Sequence, residues 1–165
     1  PLQARFVKAV HPALHPGRSA RIELGGRAVG WIGELHPQWQ QKYELPAPAV
    51  VFELEVEPLL DIGVPRYAEV SKFPAVIRDR AMLVDEHIEA QALLDALESV
   101  RPAFVREITL FDLYRGKGIP EGKKSLAFRV VMQDTGRTLT DAEVDAAMAQ
   151  LTEALVSRFG AQQRI

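Results

Sequence analysis

The sequence predicts an α+β protein in two parts, and three observations carry that reading. From residue 79 onward the apolar residues run through strand-like alternation and switch twice to helical spacing, in the order β-α-β-β-α-β. In the first seventy positions they alternate around a glycine turn with one short helix, the pattern of antiparallel strands. Between the two, Asp61 to Pro74 carries Gly63, Pro65 and Pro74 with little periodicity and reads as a linker. The boundary is expected near residue 70, giving parts 1–70 and 71–165.

In the first part Ser19 to Leu24 alternates, and Gly25-Gly26 supplies the positive φ angles of a tight hairpin turn. Arg27 to Glu34 returns, with Val29, Trp31 and Ile32 apolar. His36-Pro37 opens a short helix through Tyr43, and Trp31 and Trp39 read as packing residues. Ala49 to Glu57 is a further strand, with Phe52, Leu54 and Val56 on one face and Glu53, Glu55 and Glu57 on the other. Three carboxylates on one face suit a cation or acid–base work, but no nucleophile or donor is paired with them, so a wet sheet face is expected. His11 and His15 share a helical ligand spacing, yet Pro12 and Pro16 oppose a helix there and no third ligand appears. Arg18 and Arg21 read as interdomain or subunit contacts.

The second part is patterned more sharply. Asp79 to Asp85 is a strand holding Ala81, Met82, Leu83 and Val84. Ile88 to Val100 has helix spacing, with Leu93, Leu94 and Leu97 as its stripe. Val105 to Tyr114 and Ser125 to Gln133 are strands, the latter alternating Leu126, Phe128, Val130 and Met132 against Ser125, Ala127, Arg129 and Val131. Thr140 heads a long helix, and Glu143 completes a capping box. Val144, Ala147, Met148, Leu151, Leu155 and Phe159 form its buried stripe, and Gly160 sits where a left-handed residue ends a helix. A short strand, Gln162 to Ile165, is expected last. This is the split-βαβ, or ferredoxin-like, arrangement: two helices cover one sheet face and leave the other free.

Composition narrows the function classes. Of 165 residues 47% are apolar and 25% charged, with a formal net charge of −2, so any pull toward nucleic acid must be local. There is no cysteine, which removes disulfides and thiolate metal sites and makes a cytoplasmic location the expectation. No apolar run approaches the length of a membrane span, and the start at Pro1, within a strand-like run, reads as a piece of a longer polypeptide. Charge is nevertheless uneven. From 101 to 137 eight cations (Arg101, Arg106, Arg115, Lys117, Lys123, Lys124, Arg129, Arg137) face four carboxylates, a net of +4, while the flanking segments are negative.

That basic segment holds the most informative stretch. A strand ends in Phe111-Asp112-Leu113-Tyr114 and runs into Arg115-Gly116-Lys117-Gly118, and the next strand starts at Glu121-Gly122-Lys123-Lys124-Ser125. A ring and a cluster of cations thus share one sheet edge, which suits single-stranded RNA. The bland alternative is a solvated hairpin whose tyrosine is a half-buried edge residue. Gly116, Gly118 and Gly122 read as turn glycines, since no helix N-terminus follows them directly and no P-loop spacing is present. Asp112 is expected to fix this turn or to pair with Arg115.

The same residues carry a resemblance. Lys72-Phe73-Pro74 with Arg78-Asp79, Phe111 to Gly116, Glu121 to Ala127, and Arg137-Thr138-Leu139 occur in the order and spacing of one family. The segment resembles the C-terminal anticodon-binding domain of the bacterial phenylalanyl-tRNA synthetase beta subunit. His15 to Ala20 and Gly30 to Pro37 resemble the end of that subunit's module built like a class II synthetase core, which lacks chemistry of its own. The resemblance implies that 1–70 is the C-terminal piece of that module plus linker, and that 71–165 grips the anticodon arm of phenylalanine tRNA. It implies no catalytic residue, metal or cofactor in this chain. ATP and magnesium would serve the parent complex, a heterotetramer of two alpha and two beta subunits whose alpha subunit holds the active site. Tyr114 is expected to stack on an anticodon base, the first by expectation. Backbone groups near Ala81 and the hydroxyl of Ser125 would read base edges, and Arg115, Lys117, Lys123, Lys124, Arg129 and Arg137 would contact phosphates.

Two other function classes compete. An acylphosphatase-like hydrolase uses the same fold but needs an asparagine to position water, and the chain contains none. A small-ligand regulatory domain would pair side by side and gives no reason for the basic hairpin.

Overall fold

The computed structural model describes residues 4–60, 67 and 70–164. The chain divides into two compact units, 1–66 and 67–165. Much of the expected linker, at 61–66 and 68–69, lies outside the described residues, as does Ile165 of the expected last strand.

The first unit is an antiparallel sheet of β1 (Ala4–Lys8), β2 (Leu14–Leu24), β3 (Arg27–Leu35) and β4 (Val50–Leu54), paired in sequence order. β2 is longer than its alternation suggests and is irregular between Leu14 and Ser19, where Pro16 lacks a ladder donor. α1 (Pro37–Lys42) starts at His36, whose imidazole accepts the Gln38 N–H at 3.2 Å. β4 stops at Leu54, and α2 (Glu57–Leu60) follows where the strand was expected to continue. The reason is local: Glu57 lies one position before Pro58, which has no N–H for a ladder and suits the first turn of a helix. Among the described residues of this unit Leu14, Ile22 and Val29 are the buried apolar ones, while Val50, Phe52 and Val56 are exposed.

The second unit has the expected order: β5 (Val76–Asp85), α3 (Ala90–Ser99), β6 (Val105–Tyr114), β7 (Lys123–Met132), α4 (Asp141–Phe159) and β8 (Gln162–Gln163). Its sheet runs β6-β7-β5-β8, antiparallel throughout, the ferredoxin-like order. Met82 and Val84 of β5 and Leu126, Phe128, Val130 and Met132 of β7 are buried with Leu93 and Leu97 of α3 and Val144, Met148, Leu151 and Leu155 of α4. Because side chains alternate along a strand, Asp79, Ala81, Leu83, Ser125, Ala127 and Arg129 point to the opposite, helix-free face. α4 is capped as its sequence requires. The Thr140 hydroxyl accepts the Glu143 N–H, Glu143 accepts the Thr140 N–H at 3.0 Å, and Gly160 closes the helix at φ 61°. No helix among the described residues is long and apolar enough to cross a membrane.

Candidate nucleic-acid interface

The helix-free face of the second unit carries the expected base-contact residues in adjacent rows. Tyr114 of β6 pairs with Ser125 of β7, Ser125 with Leu83 of β5, and Leu83 with Gln162 of β8. In the next row Asp112 pairs with Ala127, Ala127 with Ala81, and the Ala81 carbonyl accepts the Arg164 N–H at 2.9 Å. Tyr114, Ser125 and Ala81 therefore share one face across three strands. β5 is an interior strand, so its backbone is held from both sides, and Ala81 presents a small half-buried methyl outward. Ser125 is 3% exposed, whereas Tyr114 is 37% exposed.

Two register shifts, between Val105 and Glu107 and between Leu110 and Asp112, set the facing of β6. A bulge places successive residues on one side of the sheet. Phe111, 49% exposed, lies under the guanidinium of Arg129 on the helix-free face. Leu110 packs on the core, so unbroken alternation from it would have turned Tyr114 toward the helices; the second shift instead leaves Phe111 and Asp112 both outward and so returns Tyr114 to the helix-free face.

Behind Tyr114 the chain turns tightly. Gly116, Gly118 and Gly122 have φ of 152°, 89° and 76°, which fits turn glycines. At Gly116 the need is also spatial: a Cβ there would lie 3.0 Å from the Tyr114 hydroxyl oxygen and 3.3 Å from Cζ. The Tyr114 hydroxyl donates to the Lys117 carbonyl at 3.2 Å, so ring and turn brace each other.

The six expected phosphate contacts are distributed along the unit. Arg115, Lys117 and Lys123 lie at the Tyr114 end of the sheet. Arg115 donates twice to Glu86 Oε1, at 2.8 and 2.6 Å, and not to Asp112 as expected, because Glu86 follows β5 directly beside the turn. Lys123 Nζ donates to Asp85, its register partner, at 2.8 Å. Lys124 points to the helix side, is 8% exposed, and donates from Nζ to the Glu86 carbonyl at 2.8 Å. Burial pulls its pKa below the usual lysine value, against the Coulombic support of Glu86. Arg129 makes two hydrogen bonds to Asp79, at 2.9 and 2.8 Å. Arg137 follows β7 at the far end of the sheet and pairs with Glu143 at the start of α4. Hydrogen bonds from Arg115, Lys123 and Arg129 hold Glu86, Asp85 and Asp79 below the ordinary carboxylate range, and Arg137 with the Thr140 cap holds Glu143 lower still. These carboxylates are ionised at neutral pH and offset part of the hairpin's positive charge.

Arg164 was absent from the sequence-based set. Its guanidinium carbon lies 4.9 Å from the centroid of the Tyr114 ring. The juxtaposition depends on β8 pairing beside β5, and two residues of alternation do not announce that register.

Among its described residues the first unit gathers no comparable cluster. Arg27 pairs with Glu55 at 3.2 Å, Arg18 with Glu34 at 2.6 Å, and Arg21 with Glu23 at 2.5 Å. His11 and His15 accept the N–H groups of Ala13 and Gly17, and His11 packs on Trp31 with ring centroids 5.1 Å apart. Among the described residues no group of three or more His, Asp or Glu side chains is placed to hold a metal ion.

Comparison with known proteins agrees with this geometry. Residues 71–164 match the family model described as the ferredoxin-fold anticodon binding domain, and residues 2–56 match that of the phenylalanyl tRNA synthetase beta chain CLM domain. The chain is 58% identical over 164 residues to the phenylalanine–tRNA ligase beta subunit of Dechloromonas aromatica and 49% identical to that of Nitrosospira multiformis, with 99% of the chain covered in each. It is 52% identical over its whole length to the counterpart from Chromobacterium violaceum. The chain spans 21% of the length of each of these relatives. Neither the hydrolase nor the small-ligand reading has a counterpart among these matches. The chain belongs to the ferredoxin-fold anticodon-binding domain family.

Proposed function

We propose that this chain is the tRNA-binding part of a phenylalanine–tRNA ligase beta subunit and that its second unit grips the anticodon stem-loop of phenylalanine tRNA. The observation that carries the reading is Tyr114: an exposed ring at a strand end, on the helix-free face of a sheet, beside a basic turn. Unstacked loop bases are the usual targets of sequence-specific RNA recognition, and a ring braced by its own turn is a ready platform. In this reading Tyr114 stacks on an anticodon base, the first by preference. Ser125 and the backbone beside Ala81 read base edges. Arg115, Lys117 and Lys123, at the same end of the sheet, approach the phosphates and set position and salt dependence. Arg129 reaches the strand farther along the sheet, while the pairings of Lys124 and Arg137 suit them to support of the fold. The chain itself carries out no chemistry. ATP, magnesium and phenylalanine are handled by the alpha subunit of a cytoplasmic complex of two alpha and two beta chains.

The test is a titration of the chain with a labelled anticodon stem-loop of phenylalanine tRNA and a scrambled-loop control, at two salt concentrations. Loop-dependent, salt-sensitive binding is the expected result. Equal binding of both loops reduces the interface to a basic surface and refutes base reading.

A further inference from the structure

Two rings lie on the helix-free face of the second unit, and a guanidinium lies over each. Arg129 covers Phe111 at 5.0 Å and Arg164 covers Tyr114 at 4.9 Å. Their anchorage differs. The Arg129 guanidinium is tied to both carboxylate oxygens of Asp79. Arg164 is fixed through its backbone, by its N–H to the Ala81 carbonyl, while its guanidinium has the Tyr114 ring as its contact among the described residues.

From its place beside β5, the Arg164 side chain reaches across the sheet toward β6. It therefore spans the ground between Ala81 and Tyr114, where Ser125 sits 3% exposed. A base stacked on Tyr114 and read by Ser125 must occupy that ground. The guanidinium and the base compete for it.

Resting on the anticodon-binding reading above, we propose that Arg164 is an RNA-binding residue that acts by exchange. The incoming base replaces the guanidinium on the Tyr114 ring, and the freed guanidinium pairs with a phosphate of the same strand. The exchange runs in the right direction energetically. An exposed cation–π contact is weaker than a base–aromatic stack, and the guanidinium regains a charge-assisted, bidentate partner. Arg129 is unsuited to such an exchange, because leaving its ring means leaving Asp79 unpaired. The resting contact also keeps the Tyr114 ring covered on a face that would otherwise be open to water.

The test compares wild type, Arg164→Ala, Arg164→Lys, Tyr114→Ala and Arg158→Ala, each with its thermal melt recorded. The probe is the anticodon stem-loop of phenylalanine tRNA over a series of salt concentrations. Arg158 is exposed on α4 and removes the same charge from the helix side. Arg164→Ala is expected to weaken binding about 3- to 10-fold and to flatten the log–log salt slope by about 0.7, the value for one phosphate contact on a single strand. Arg164→Lys keeps the slope, and Arg158→Ala leaves both quantities unchanged. Tighter or unchanged binding by Arg164→Ala with the wild-type slope would overturn the exchange, leaving Arg164 a cover only. If Tyr114→Ala also binds as wild type, the anticodon reading itself fails. If Tyr114→Ala is weak while Arg164→Ala keeps the slope, only the role of Arg164 fails.

Discussion

Replacing Tyr114 separates the ring from everything else at the site. Loss of a base–aromatic stack costs roughly 1–3 kcal/mol, so Tyr114→Ala should weaken binding of the phenylalanine anticodon arm about 5- to 150-fold. Tyr114→Phe keeps the ring and gives up one hydroxyl, whose hydrogen bond to the Lys117 carbonyl is 3.2 Å long and exposed. A bond of that kind contributes about 0.5 kcal/mol net, which limits the phenylalanine variant to about a two- to threefold loss. Stability needs a parallel measurement. With Tyr114 37% exposed, nearly two thirds of its surface is covered. Taking a tyrosine's area as roughly 200 Å², about 125 Å² at about 25 cal/mol per Å² gives an upper bound of about 3 kcal/mol for the alanine change. A urea melt of each variant fixes the range in which the chain is folded, and fluorescence titration with the labelled arm within that range gives the affinities. Equal losses in the alanine and phenylalanine variants would refute the stacking argument, because the hydroxyl-braced turn would then be the recognition element.

Other expectations follow from the same contacts. Lys124→Ala should lower the urea midpoint, since it removes a buried stem and leaves the Glu86 carbonyl without its 2.8 Å donor, yet the salt slope for the anticodon arm should hold; a flatter slope would put Lys124 on the RNA. Thr140→Ala removes the cap of α4 and should cost about 0.5–2 kcal/mol, read as a lowered melting temperature. Acid should destabilise the second unit. Asp79, Asp85, Glu86 and Glu143 titrate lower when folded, so their stabilisation is complete above the unfolded values near 3.8 and 4.5 and is lost as pH falls through the folded ones. The urea midpoint should therefore hold above about pH 5 with respect to these groups and drop below it, with a smaller drop in Glu143→Gln; a flat midpoint down to pH 3 would contradict the pairing.

Legibility in the sequence followed the range of the interactions. The capping box at Thr140 and Glu143, the glycine stop at Gly160 and the alternation of β7 are settled within a few residues, and each is where the pattern put it. The end of β4 also turned on a local signal, Pro58, which outweighed the continued alternation of Glu55, Val56 and Glu57. Pairings across the sheet were less accessible. Asp112 was expected to fix the turn or to pair with Arg115, three residues on, whereas Arg115 found Glu86, 29 residues away and brought close by β5. The charge count from 101 to 137 was correct as arithmetic, but acids on β5, after β5, on α3 and on α4 meet five of those eight cations.

The same distinction bears on how the site would work. A cation already tied to a carboxylate gains less from a phosphate, because its old partner must be rehydrated or repelled. The basic hairpin should therefore steer and position an RNA strand more than grip it, through Lys117 and through the exposed ion pairs, which salt and solvent weaken. Discrimination would then fall to the surfaces without such partners: the Tyr114 ring, the narrow ground over Ser125 and Ala81, and the Arg164 guanidinium, whose contact among the described residues is that ring. In that arrangement, substitutions of the hairpin cations should weaken cognate and scrambled loops alike, while changes at Tyr114 should narrow the difference between them. The ratio of the two affinities, measured at fixed salt, separates positioning from reading more sharply than either affinity alone.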